Sequence, residues 1–164
     1  MDTTTSEKQL ASIITSSQLL THWLGHRGLT RRLIEAFPEK HLFEYSIGGM
    51  RPFAMMVLEI LAIAAPGLRE IAEGKTEKLN ENIETSISKV NLLSLWDQST
   101  ADIKNYWSHI PDERFHETIL SFGQYEGTVL SAILYFIDNE IHHRGQGYVY
   151  LRSLGIEPPA FWER

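Results

Sequence analysis

The 164-residue chain contains no cysteine. Disulfides, thiolate metal sites, iron–sulfur clusters and a cysteine nucleophile are therefore excluded, and any metal or acid–base chemistry falls to His, Asp, Glu and Asn side chains. Basic residues are also scarce: 15 Lys and Arg stand against 21 Asp and Glu, a formal charge of −6. That balance argues against a nucleic-acid or anionic-membrane surface, because phosphate contact needs an excess of Lys and Arg on one face. Long apolar runs are missing as well. The most apolar stretch, Phe53 to Gly67, falls short of the roughly 20 residues of a spanning helix and contains Glu59 and Pro66. The opening residues, MDTTTSEKQLASIITSS, carry an acid at position 2 and no apolar core of the secretory-signal kind, so a cytoplasmic location is expected.

What remains is an ordinary soluble composition, 43% apolar and 22% charged, long enough to bury a core without staples. No domain boundary is visible, so residues 1–164 read as one domain. Four long segments have helical character: about Ser17 to Phe37, Pro52 to Glu73, Ser88 to Ile110 and Gly127 to Leu154. Pro38, Gly74, Pro111 and Gly155 supply the stops, and Pro66 should kink the second segment or end it early. Residues before the first helix suit a short extra helix. Alternation through Phe115, Glu117 and Ile119 predicts a short extended piece within Arg114 to Tyr125. Lys75 to Thr85 is polar and reads as a surface connection, part of it compatible with helix. The expected fold is all-α, a four-helix bundle with short irregular or extended connections. The long links from Phe37 to Arg51 and from Gly74 to Ile87 leave room for crossovers.

Two places carry chemistry. Glu59 is the one charged residue from Phe53 to Ala65, and an unpaired buried carboxylate costs several kcal/mol. It is a structural ion pair with Arg27, Arg51 or Arg144, a carboxyl left protonated by a raised pKa, a metal ligand or general base, or a simply exposed residue. The second place is Asp138 to Gln146 (DNEIHHRGQ). There Asn139 and His143 lie one helical turn apart, Gln146 a turn further, and His142 on the shoulder. An i, i+4 pair is the spacing by which one helix offers two ligands to one ion. Relative to Ile137, Leu130, Leu134, Ile141, Tyr148 and Leu151 fall within about 60°, with Asn139, His143 and Gln146 near the opposite side. Either this apolar stripe is the core and the histidines face solvent, or the histidines face the bundle and a second subunit covers the stripe. His22 and His26 form another i, i+4 pair, equally suited to an amphipathic surface; His41, His109 and His116 have no assigned role. The tripeptide His-Arg-Gly occurs at His26 and His143, too short a match for a repeat. No phosphate loop, nucleophile elbow or dinucleotide fingerprint is present.

Three segments together resemble the DinB-like (YfiT-like) family of bacterial four-helix proteins. They are WLGHRGLTRRL at Trp23 to Leu33, the Gly49-Met50-Arg51-Pro52-Phe53 entry into the second helix, and above all HHRGQGYVYLRSLGIEPPAFW at His142 to Trp162. The resemblance implies an up-down-down-up bundle, commonly a homodimer, that holds a divalent ion, often zinc or nickel, on three histidines. It implies metal-dependent thiol transferase or related hydrolase or isomerase chemistry, although many members have no assigned reaction. Residue by residue, the family's first histidine falls on Glu59 and its second on Asn139; His143 keeps the type. Two readings follow. In one, Glu59 and His143 hold a divalent ion completed by Asn139 or His142, with an open position for water or a substrate thiol, or Glu59 serves as general base beside the ion. In the other, the metal site is lost and the protein is a non-catalytic dimeric small-ligand-binding or structural module.

Overall fold

The structure, a computed structural model, describes residues 13–80 and 87–164. Four long helices form the frame: α1 (Ser16–Ala36), α3 (Phe53–Glu73), α4 (Lys89–Trp107) and α5 (Val129–Ser153). Their starts are fixed by local chemistry. Thr15, Ser88 and Thr128 each accept a backbone N–H from the first turn, and Gln18 returns the bond to complete a capping box at α1. α3 follows Pro52 and ends where Gly74 turns left-handed at φ 68°, the backbone region glycine enters without a Cβ clash.

Several features depart from the expectations. The Phe37 to Arg51 link contains a short helix, α2 (Glu39–Glu44), started by Pro38. Pro66 does not end α3. The donor it removes would have served the carbonyl of Ala62, and both residues line an open cleft between α3 and α4. After α4, a 3-10 turn (Asp112–His116) leads into strand β1 (Thr118–Ser121), which pairs antiparallel with β2 (Tyr125–Thr128). The second strand occupies residues expected to open the last helix. Residues 75–80 are irregular; the rest of that connection and the proposed N-terminal extra helix lie outside the described residues.

Contacts fix the directions of the helices. Trp23 lies by Phe136 and Leu33 by Gly147, so α1 and α5 run the same way. Phe53 meets Gly147 whereas Gly67 meets Phe136, so α3 runs against α5. Trp23 meets Trp107 edge to face while Lys89 reaches the Phe37 carbonyl, so α4 runs against α1. The bundle is therefore up-down-down-up, with α1 and α3 each flanked by α4 and α5. Gly147 permits a close approach of three helices: a Cβ there would lie 2.6 Å from Phe53 Cε2 and 2.9 Å from Leu33 Cδ2. Overpacking costs about 1–3 kcal/mol, against roughly 1 kcal/mol recovered by removing a helical glycine. Gly147→Ala is accordingly expected to lower the urea midpoint; a raised midpoint would contradict this packing.

The core divides into two apolar lobes. One gathers Trp23, Leu68, Ile103, Trp107, Ile133 and Phe136; the other gathers Leu33, Phe37, Phe53, Ile60, Trp96 and Tyr150. Between them, α1 contributes His26, Arg27 and Thr30, and α5 contributes Asn139, Glu140, His143 and Arg144, all buried. A polar layer thus crosses the bundle at mid-height.

Candidate functional site

At the α3/α5 edge of this layer, Glu59 and His143 meet. Apolar residues surround Glu59 on α3, so its carboxylate is half-buried and directed across to α5, where Oε1 lies 3.0 Å from His143 Nε2. Its other oxygen takes the Arg51 guanidinium at 2.6 Å. Burial alone would push the Glu59 carboxyl upward; hydrogen bonds from Arg51 and His143 outweigh it and hold the group below the usual carboxylate range. The far side of the imidazole, Nδ1, lies 3.1 Å from Gln146 Oε1. Both ring nitrogens of His143 therefore lie within hydrogen-bond distance of an oxygen, Glu59 on one side and Gln146 on the other.

Asn139 lies one turn before His143, 9% exposed, and its Nδ2 has no hydrogen-bond partner. His142 is exposed; its ring packs edge-on against His143 and its Nε2 lies 3.4 Å from Gln146 Nε2, but among the described residues it makes no hydrogen bond to Glu59. Of the candidate partners for Glu59, Arg51 is the one used. The choice between stripe and histidines also resolves differently from either expectation. Ile137 and Leu151 are in the core at 2% and 0% exposure, and His143 is buried as well at 6%. α5 packs against α1, α3 and the hairpin, so its buried arc is wide enough for both sets. Only Leu134 and Ile141 of the stripe are exposed.

The rest of the layer escaped the sequence reading. Glu140 is 0% exposed and Arg27 1%. Thr30 Oγ1 donates to Glu140 Oε1 at 2.6 Å, Arg27 Nη1 lies 3.6 Å from Oε2 and Arg144 Nη1 3.9 Å from Oε1. Arg27 also stacks over Trp96 and donates to its carbonyl. Burial lowers the Arg27 guanidinium to about 10, with Glu140 opposing the shift, so it stays charged at neutral pH. A signal was available: Ile133, Ile137, Glu140, Arg144, Gly147 and Leu151 hold a continuous core spacing, and the two His-Arg-Gly copies place both flanking arginines.

At the α1 edge, Arg144 Nη2 donates to His26 Nδ1 at 2.8 Å, while His26 Nε2 lies 3.1 Å from His22 Nε2 and 3.2 Å from Arg164 Nη1. Burial first, then the charges of Arg144, His22 and Arg164, lower the His26 pKa to about 4 from an ordinary 6.5. The unfolded chain binds this proton more readily than the folded one, so stability falls as pH drops from about 6.5 to about 4 and is unaffected by this group above that window. The expected loss is at most about 3 kcal/mol. Urea midpoints measured from pH 7 to pH 4 should show it, and His26→Gln should flatten the profile; an unchanged slope in that variant would contradict the assignment.

The ion that the DinB-like resemblance implies can be tested against these residues. The donors are one imidazole, one carboxylate and one carboxamide. A guanidinium on the carboxylate puts a fixed positive charge beside the place a cation would take, and the amide nitrogen of Asn139 is no metal donor. Among the described residues, no group of three His, Cys, Asp or Glu side chains is placed to hold an ion. The set does not fit a three-imidazole ion; it fits a shared proton.

Comparisons with known proteins agree with this architecture. The family model described as DinB family matches residues 1–164. The crystal structure of the DinB-like protein YjoA from Bacillus subtilis superposes with a TM-score of 0.73 at 23% identity, covering 90% of this chain and 99% of that one. A DinB-like protein from Bacillus cereus gives 0.71 at 18% identity, covering 89% and 97%. No curated protein matches. Among the described residues, no helix is long and apolar enough to cross a membrane.

Proposed function

This chain belongs to the DinB family, and we propose that within it the protein is a small-molecule-binding member whose centre is a His143–Glu59 proton pair in place of a resident divalent ion. The observation that carries the reading is the Arg51 contact to Glu59, 2.6 Å long, on the carboxylate that also faces His143 Nε2. Arg51 and Gln146 hold the two partners from outside, so the pair is preorganised to donate to, or exchange a proton with, a ligand in the α3/α5 groove. The reading accounts for a family site carrying one imidazole where three are expected.

Nitrogen-15 NMR of the His143 ring tests it. Nε2 should carry the hydrogen that bonds to the Glu59 carboxylate, and Glu59→Gln should shift its resonance. A Nε2 that is deprotonated or metal-shifted in the purified protein would contradict the proposal.

Self-association is the second part of the reading, favoured by Leu134, Tyr135, Ile141 and Val149, all exposed on α5. Ile141→Glu should give monomers by light scattering from a dimeric parent; a monomeric parent would refute it. Ile137, being core, is not a usable probe.

A further inference from the structure

On the α1 side the polar layer ends in a group of nitrogen donors that carries no counter-charge. His26 and Arg144 form its buried wall, at 4% and 7% exposure, and His22, Arg32 and Arg164 stand exposed in front of them. Arg144 is spent inward, on the His26 carbonyl, on Thr30 Oγ1 and on His26 Nδ1. A guanidinium only donates, so His26 Nδ1 is the acceptor and the hydrogen of that ring sits on Nε2. Nε2 meets His22 Nε2 at 3.1 Å and Arg164 Nη1 at 3.2 Å. At most one lone pair, that of His22 Nε2, therefore faces the N–H groups of an imidazole and a guanidinium. Among the described residues no ion pair uses His22, Arg32 or Arg164, whereas Arg31 takes Glu35 and Asp97 and Arg152 takes Glu157.

The chain builds this excess of donors from two elements. Arg32 donates to the Glu163 carbonyl, which lays residues 163 and 164 against α1. Arg164 then seats over Gly25, where a Cβ would lie 3.2 Å from Arg164 Cβ, and Arg32 Nη1 lies 4.0 Å from the place of a Cβ on Gly28. Two arginines thus lie over glycines about one turn apart on α1. The local potential is positive: after burial, the charges of Arg144, His22 and Arg164 are what lower the His26 pKa.

We propose that this edge binds a small oxyanion of the phosphate type, held by Arg164 and His22 against the N–H of His26. Guanidinium and imidazole N–H groups make charge-assisted hydrogen bonds to phosphate oxygens, and a doubly charged oxyanion gains most from several cations at once. The site lies at the opposite edge of the layer from Glu59 and His143 and does not rest on the reading given for them.

Inorganic phosphate is the probe, titrated into the full chain against chloride at about 0.1 M ionic strength, where charges more than about 10 Å apart are screened. The ring signals of His22 and His26 and the Gly25 amide, followed by NMR, should move together and saturate with a dissociation constant of about 1 mM, the strength of two charge-assisted hydrogen bonds. Arg164→Gln, an exposed change, should weaken binding at least tenfold, and His22→Gln should weaken it as well. Arg31→Gln, on the same helix with its charge already paired, should leave binding unchanged, and acetate should bind more weakly than phosphate. Shifts that fail to saturate by about 50 mM phosphate would overturn the site. So would full binding in Arg164→Gln, or an equal loss in Arg31→Gln, which would mark general attraction of anions. Acetate binding as tightly as phosphate would overturn the ligand class.

Discussion

Replacing Glu140 by alanine is expected to destabilise the bundle by about 3–5 kcal/mol, lowering the urea midpoint by about 1–2 M. Glu140 is the buried anion between Arg27 and Arg144, and its removal leaves two guanidinium groups inside the bundle without a counter-charge. Domains of this size are stable by about 5–15 kcal/mol in total, so this single change consumes a large part of the margin. The cost arises from the orphaned charges more than from lost attraction. Arg27→Met, Glu140→Leu and Arg144→Met combined should therefore recover most of the stability, because apolar groups of similar volume need no partner. A loss under 1 kcal/mol in Glu140→Ala would mean that the layer is hydrated and the charges are served by water.

The second large effect is a gain of metal binding. The combined variant Glu59→His, Asn139→His and Arg51→Gln supplies three imidazoles at the positions where the family resemblance places them, and removes the cation beside them. Zinc or nickel at a hundredfold excess over the dissociation constant should then stabilise the fold by about 2.7 kcal/mol, raising Tm by about 5–10 °C. A chelator should reverse the shift. The unmodified protein should show no shift under the same conditions. A triple variant indifferent to metal would mean that these helices do not converge as Glu59 and His143 indicate.

Most of the frame was legible in the chain. Pro38, Gly74 and Pro111 marked helix ends through local chemistry that tertiary structure did not override. The resemblance supplied the order of directions. Two things misled. Pro66 was expected to kink the helix or end it early, and the helix instead runs on through it to Glu73. β2 was missed because Tyr125 to Thr128 lacks alternation and gains its order by pairing with β1. At the site, spacing brought His143, Asn139 and Gln146 to one face, and the isolation of Glu59 in an apolar helix singled it out. In the middle layer Glu140 was overlooked, and Arg27 and Arg144 were considered only as partners for Glu59, for a physical reason. Arg27, Glu140 and Arg144 look like solvent-facing residues one by one, and become core only when their i, i+4 spacing is followed through the apolar residues on either side. Asn139 was counted as a weak ligand; its burial, with the amide donor left without a partner, depends on packing that spacing along one helix does not show.

Elemental analysis tests the central claim most directly. The unmodified protein, produced without a histidine tag in medium replete with zinc and nickel, should carry no stoichiometric metal after gel filtration, while the triple-imidazole variant prepared in parallel carries one ion per chain. One equivalent of metal in the unmodified protein, lost in both Glu59→Ala and His143→Ala, would contradict the account.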